Sequence, residues 1–266
     1  MNTITAPGDD AVVRIERRDD HVAVITLNRP EAKNAINGAL AQALGAAVQQ
    51  VENDPEIWTA ILAAAGDGVF CAGADLREIA AGRAASLATR DAGFAGFVFA
   101  ERRKPWIAAV NGLALAGGCE LALACDFIVA AETAAFALPE VLRGLAAVAG
   151  GLYRLPRALP RALALELIVT GERLDAQRAY QFGMVSRLVP ASQVVEAALE
   201  LAQRINRSAP LAVRESLAIA RSADDLDEAA LRRAGVDAWQ RLMATEDFHE
   251  GPRAFVEKRT PRWSGR

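Results

Sequence analysis

Short apolar runs of strand length alternate with stretches carrying one apolar face per helical turn through the first two thirds of the chain. Residues 12–17 and 21–27 are β-rich runs joined at Arg18-Asp19-Asp20, the pattern of a hairpin. Asn28-Arg29-Pro30 ends the second run, because proline cannot extend a ladder. Leu40, Leu44, Val48 and Val51 are spaced for one face of a helix over 38–52. A buried strand is predicted at 58–63, closed by the turn Gly66-Asp67-Gly68. Charged and apolar residues alternate at helical period over 76–102, predicting two helices that Lys104-Pro105 stops. Strands are predicted at 106–110 and 126–130, separated by residues 112–125, which lead into a helix. Gly150-Gly151 opens a further helix toward Leu159, and beyond Pro160 the pattern is helical apart from a short strand at 184–189. Successive helices are predicted at 194–207, 210–221, 226–245 and 250–258.

Strands alternating with helices imply an α/β core with parallel pairing. A chain of 266 residues suits one large domain, or one domain with a helical appendage. There is no short-period repeat and no low-complexity linker. Charged residues are 24% of the chain and the formal net charge is -3, without a basic stripe interleaved with aromatics, so a nucleic-acid partner is not expected. Cys71, Cys119 and Cys125 are odd in number and lack CxxC spacing, which points to reduced thiols in a cytosol-like compartment. The opening residues lack the basic and apolar regions of a secretory signal. The longest apolar stretch, 105–125, is broken by Asn111, three glycines and Glu120, and reads poorly as a membrane span.

That same stretch holds the first candidate for chemistry. Glu120 is the only charged side chain between Lys104 and Asp126. An ionised carboxylate is expensive to bury, so a buried one has its pKa raised or finds a partner. The stretch fits a structural carboxylate held by backbone donors as well as a functional one. Glu140, behind Pro139, reads locally as an exposed turn glutamate. As a pair in apolar surroundings, two carboxylates can take different pKa values and serve as acid and base at neutral pH. Ala72-Gly73-Ala74-Asp75 and Gly117-Gly118 each stand at a predicted helix start, where backbone N–H groups lack internal acceptors. Two such donors converging on one point would stabilise an oxyanion, although any single glycine is equally a tight turn.

Other chemistries lack their residues. His21 and His249 are poorly placed to serve a serine or cysteine triad. There is no GxSxG elbow, no GxxxxGK[ST] loop and no GxGxxG opening a helix after the first strand. Cysteine and histidine are too scattered for zinc, and Cys71 and Cys119 are read as buried small hydrophobes.

Six blocks, in order, carry a resemblance: LNRPEAKNA (27–35), FCAGADLRE (70–78), IAAVNGLALAGGCELALACD (107–126), FALPEVLRGL (136–145), AGGLYRLPR (149–157) and EGPRAFVEKR (250–259). Together they resemble the enoyl-CoA hydratase/isomerase (crotonase) superfamily. The resemblance implies a spiral of ββα units over 1–195 and a C-terminal helical trimerisation region over 196–266, assembled as a homotrimer or dimer of trimers. It implies an acyl-CoA thioester substrate, no further cofactor, no metal, no membrane, and a cytoplasmic location. The family's oxyanion donors fall on Ala74 and Gly117, and its hydratase carboxylates on Glu120 and Glu140. Lys33 and Arg77 match positions that contact coenzyme A phosphates, and Ala72 lies where adenine binds. Phe255 and Lys258 match tail positions that approach the coenzyme A of a neighbouring subunit. Ala147 and Val148 depart from the proline and glycine of many straight-chain hydratases, a change expected to narrow or reshape the site. The leading expectation is a 2-enoyl-CoA hydratase. A specialised acyl-CoA dehydratase or double-bond isomerase is the runner-up within the fold. A non-catalytic or RNA-binding member and a fold-related serine peptidase stand as different classes.

Overall fold

The computed structural model describes residues 11–18 and 21–266. The turn expected at Asp19-Asp20 and the opening segment read for targeting fall on residues outside that description. In chain order the elements are β1 (Val13–Arg18), β2 (Val22–Leu27), α1 (Gly38–Asn53), β3 (Thr59–Ala64), β4 (Gly68–Cys71) and α2 (Leu76–Ala80). They continue with β5 (Ala88–Thr89), β6 (Gly93–Phe94), β7 (Trp106–Val110), β8 (Gly112–Leu115), α3 (Gly117–Ala124), β9 (Phe127–Ala131) and β10 (Ala135–Ala137). The remainder is α4 (Gly151–Ala158), α5 (Arg161–Thr170), β11 (Leu174–Asp175), α6 (Ala176–Gln181), β12 (Arg187–Val189), α7 (Val194–Asn206), α8 (Pro210–Arg221), α9 (Glu228–Met243) and α10 (Glu246–Val256).

Two sheets organise the core. The larger has six strands in the order β1-β2-β3-β7-β9-β12, parallel except for the β1–β2 hairpin. β3 and β7 are almost wholly buried, which is why they read as unbroken apolar runs rather than alternating ones. The smaller sheet runs β11-β10-β8-β4, with β10, β8 and β4 parallel. Three successive turns, β3-β4-α2, β7-β8-α3 and β9-β10-α4, each lay one strand in the large sheet, one in the small sheet, and then a helix, which is the expected spiral of ββα units. Crossing from β7 to β8 needs Gly112, because a Cβ there would overlap the Gly68 backbone of the previous turn. α7 covers β3, β7 and β9, and the remaining C-terminal helices follow it.

The structure corrects three expectations. Residues 76–102 form one short helix, α2, followed by a 3-10 turn and the small β5–β6 ladder, not two helices. Gly82, Gly93, Ala95 and Gly96 all have positive φ, which a helix cannot accept, and Gly96 lies so close to α1 that an added Cβ would stand 2.6 Å from the Ala41 carbonyl. The strands β4, β8 and β10 went unread because three or four residues give too little periodicity. The last helix begins at Glu246 rather than Glu250, capped by Thr245 Oγ1, which accepts from Phe248 N–H at 3.1 Å.

Candidate active site

Parallel β8 ends where α3 begins, and the join is strained. Ala116 holds φ 52° and ψ -127°, a region an L-residue rarely adopts, and it swings the chain from strand to helix in one residue. Gly117 and Gly118 follow under close contact. A Cβ on Gly117 would overlap the Phe94 ring, and one on Gly118 the carbonyl of Cys71 at the end of β4. Gly117 N–H, in the first turn of α3, has no intrahelical acceptor.

The neighbouring segment after β4 presents a second donor. Ile36 bridges Ala74 in parallel, with Ile36 N–H donating to Gly73 O at 2.8 Å and Asp75 N–H donating to Ile36 O at 2.9 Å. Those bonds flank Ala74 and turn its own N–H to the opposite side, as parallel pairing requires. Gly73 has φ 90°, and a Cβ there would stand 2.9 Å from Gly117 N and 2.8 Å from Ala116 Cβ. The Gly73–Ala74 peptide and the start of α3 are therefore in direct contact, which brings Ala74 and Gly117 together.

One turn further along α3, Glu120 is buried at 3% exposure. Its Oε1 accepts from Gly151 N–H, the first residue of α4, at 2.9 Å. Burial pushes its carboxyl up to about 7, against the Gly151 N–H, which favours the ionised form. The Glu140 charge raises it further, while the Ala149 N–H and the Arg154 charge lower it.

Glu140 belongs to a 3-10 turn, Pro139–Arg143, that Pro139 opens. Its local pattern suggested an exposed turn residue, and the structure corrects this: the residue is part-buried, and its Oε2 is enclosed without a hydrogen-bond partner. Burial raises its pKa, with its own backbone N–H and Arg143 opposing. Burial, and then the charges of both glutamates, push the Cys119 thiol up. Two carboxyls raised mainly by burial, near adjoining backbone N–H groups, can move a proton on each side of a polarised carbonyl compound.

The loop between the turn and α4 contains the Ala147-Val148 departure. Ala147 is buried at 3% exposure, whereas Val148 is 73% exposed, so the valine side chain stands at the rim and does not fill the interior. Lys33, Ala72 and Arg77 gather beside Ala74. Ala72 N–H donates to Lys33 O at 3.0 Å, and Arg77, exposed on α2, lies just beyond the Asp75 cap. Phe255 and Lys258 stand exposed at the end of α10, which packs on α9, and neither side chain bonds to that rim. Cys71 is buried with its thiol pushed up to about 12, and its Sγ donates to Asn34 O at 3.2 Å, as suits a small core residue. Among the described residues no cluster of histidine, cysteine and acidic side chains could hold a metal ion. Among them, too, no helix is long and apolar enough to cross a membrane.

The model of the family described as enoyl-CoA hydratase/isomerase matches residues 17–266. The chain belongs to that family. It is similar to the carnitinyl-CoA dehydratase of Salmonella typhi, at 44% identity over 254 residues that cover 94% of this chain and 97% of that protein. Among solved structures it is similar to an enoyl-CoA hydratase of Mycobacterium tuberculosis H37Rv, with TM-score 0.92 and 41% identity over 97% of this chain and 100% of that one. A carnitinyl-CoA hydratase of Mycobacterium avium matches with TM-score 0.76 and 47% identity over 96% of this chain and 99% of that one. The fold is that of the crotonase superfamily, and the protein is an enoyl-CoA hydratase-type lyase.

Three residues of the site went unread in the sequence. Phe94 covers Gly117 from a segment misread as helix, and Gly151 was seen only as a helix opener. Arg154 lies in the matching block 149–157 but was assigned no role there, since its place depends on which carbonyls lie opposite it.

Proposed function

We propose that the protein adds water reversibly across the C2–C3 double bond of a 2-enoyl-CoA, with Glu120 and Glu140 as the acid–base pair. What supports this is the burial of Glu120 and the enclosure of Glu140 Oε2, together with the close approach of the Gly73–Ala74 segment to Gly117. Those two donors receive the thioester oxygen and stabilise the enolate that forms as water attacks; one such donor is generally worth about 10²–10³ in rate. The water oxygen bonds to C3 and its proton passes to Glu120, while Glu140 gives its proton to C2. Dehydration runs the same steps backwards: Glu140 takes the C2 proton and Glu120 returns a proton to the leaving water. Either way the pair works with one proton between two carboxyls, so hydration and dehydration share one bell-shaped pH profile. Lys33, Arg77 and the Ala72 backbone form the coenzyme A rim, and Phe255 and Lys258 serve a neighbouring subunit's ligand in a trimer or dimer of trimers.

A second reading concerns the acyl group. Relatives named for carnitinyl-CoA support a specialised dehydratase acting on a functionalised acyl chain. The test is loss of enoyl absorbance with crotonyl-CoA and longer 2-enoyl-CoAs, alongside dehydration of carnitinyl-CoA. Glu120→Gln and Glu140→Gln should each lower turnover by about 10²–10⁴. No turnover on any enoyl-CoA would exclude the simple hydratase. Isomerisation of a 3-enoyl-CoA surviving Glu120→Gln would favour a one-carboxylate isomerase.

A further inference from the structure

The carboxylate of Glu120 is held by a turn that is itself held by a cation. Arg154 reaches back from the first turns of α4, where its Nη1 donates to Ala149 O at 3.1 Å and its Nη2 to Val98 O at 2.7 Å. Ala149 leads directly into Gly150-Gly151, and the N–H groups of Ala149 and Gly151 both serve Glu120. Gly150 takes φ 118°, and a Cβ there would overlap the guanidinium, so turn and side chain are packed against one another. The second hold, on Val98, ties this turn to the segment that carries Phe94 over Gly117. Among the described residues no carboxylate forms an ion pair with Arg154, whereas Arg157 pairs with Asp225 and Arg221 with Asp126. A partly buried guanidinium costs desolvation, and burial indeed holds its pKa down. Surface packing alone does not call for such a group behind a catalytic carboxylate.

We propose that Arg154 is a positioning residue for Glu120: it fixes the Ala149–Gly151 turn that supplies the carboxylate's backbone donors. This rests on Glu120 being the group that exchanges a proton with water. The charged groups facing Glu120 are Glu140 from the 3-10 turn and Arg154 from α4, with the neutral Cys119 thiol beside it on α3. Arg154 in turn is faced by Tyr153 and Arg157 of α4, by Cys125 and by Arg102. Its charge therefore acts on one ionisable carboxylate of the pair, in the direction opposite to Glu140.

The experiment is kinetic. Arg154→Gln removes charge and clamp, and Arg154→Lys keeps the charge but loses the two-pronged hold. In Arg154→Gln, the limb of the kcat/KM profile that reports Glu120 should move up by about half a unit to one unit. kcat should fall about 10–100-fold with KM little changed, because the carboxylate is displaced while the coenzyme A rim is untouched. Arg154→Lys should keep the wild-type limb and lose kcat. In a Glu120→Gln background, Arg154→Gln should add almost nothing to the loss, since a residue acting through Glu120 has nothing left to position. An unmoved limb and unchanged kcat in a folded Arg154→Gln would overturn the proposal. So would a limb shift in Arg154→Lys as large as that in Arg154→Gln, or full additivity with Glu120→Gln. If Arg154→Gln does not fold, the lysine variant alone decides by the same criteria. A fully active Glu120→Gln would instead remove the reading of Glu120 on which the proposal stands.

Discussion

Glu120 illustrates how a site residue can cost stability. Its carboxyl rises from an ordinary 4.5 to about 7 because the folded chain removes it from water. The native state therefore keeps a proton that the unfolded chain gives up between those values. Stability from this group is fully present below the unfolded value and is lost as pH rises through about 7. Glu120→Gln stays neutral throughout and can still accept from Gly151 N–H. The variant should melt above the wild type at pH 8 and level with it at pH 4.5, while losing activity at both. Thermal unfolding followed at the two pH values checks this, and equal shifts at both would contradict it. Glu140 pays a related cost in another form, a buried carboxyl oxygen without a partner, which a bound water or substrate proton would satisfy.

At the scale of the element, α3 joins the two halves of the chemistry. Its first turn holds both Gly117 N–H and Glu120, so in the proposed mechanism one rigid helix sets the distance between oxyanion and proton. The start of α3 is fixed by contact with two neighbours, Phe94 over Gly117 and the Cys71 carbonyl against Gly118. Gly118→Ala would push the helix off β4. Expected are a loss of about 1–3 kcal/mol in denaturant titration and a fall of about 10²–10³ in kcat, as for loss of an oxyanion donor. Gly235→Ala is the matched control: this glycine lies inside α9 with nothing within 4 Å of an added Cβ. That substitution should be neutral or stabilise by about 0.5–1 kcal/mol. Arg102 closes the other end of α3 by donating to Ala124 O at 2.6 Å while its guanidinium lies 4.0 Å from the Phe97 ring centre. A cation at a helix C-terminus complements the dipole.

Across the whole molecule, α7 packs on the large sheet and an ion pair ties α8 to the core. Asp126, at the start of β9, accepts Trp106 N–H at 2.8 Å and is gripped by Arg221 of α8 at 2.6 and 2.7 Å. Beyond this tie, α9 leaves Val236, Trp239 and Met243 exposed. Apolar surface of this kind, on helices that follow the core, accords with self-association. The protein is expected in solution as a trimer or a dimer of trimers, measured by light scattering or sedimentation; a monomeric mass at micromolar concentration would contradict that. Val236→Arg should lower the mass if α9 forms the contact, because a buried unpaired charge is costly.

The hydrophobic pattern by itself determined the α/β class, the strands of the large sheet and the run of C-terminal helices, because long periodic segments bury one face whatever surrounds them. Glu120 was legible for a related reason: the single charged side chain in the stretch 105–125 is conspicuous in any fold. The motif blocks located Ala74, Gly117 and Glu140, but their roles came from resemblance and not from local physics. Only the tertiary structure decided that Glu140 is half-buried, since the carboxyl of a turn glutamate is raised only when other elements enclose it. The same holds for residues 76–102, where close packing of Gly96 on α1 and of Phe94 on Gly117 overrides a helical period. Arg154 is the clearest case. Nothing in its sequence neighbourhood distinguishes it from Arg157, and its place behind Glu120 follows from two carbonyls, of Val98 and Ala149, that the fold alone brings within reach.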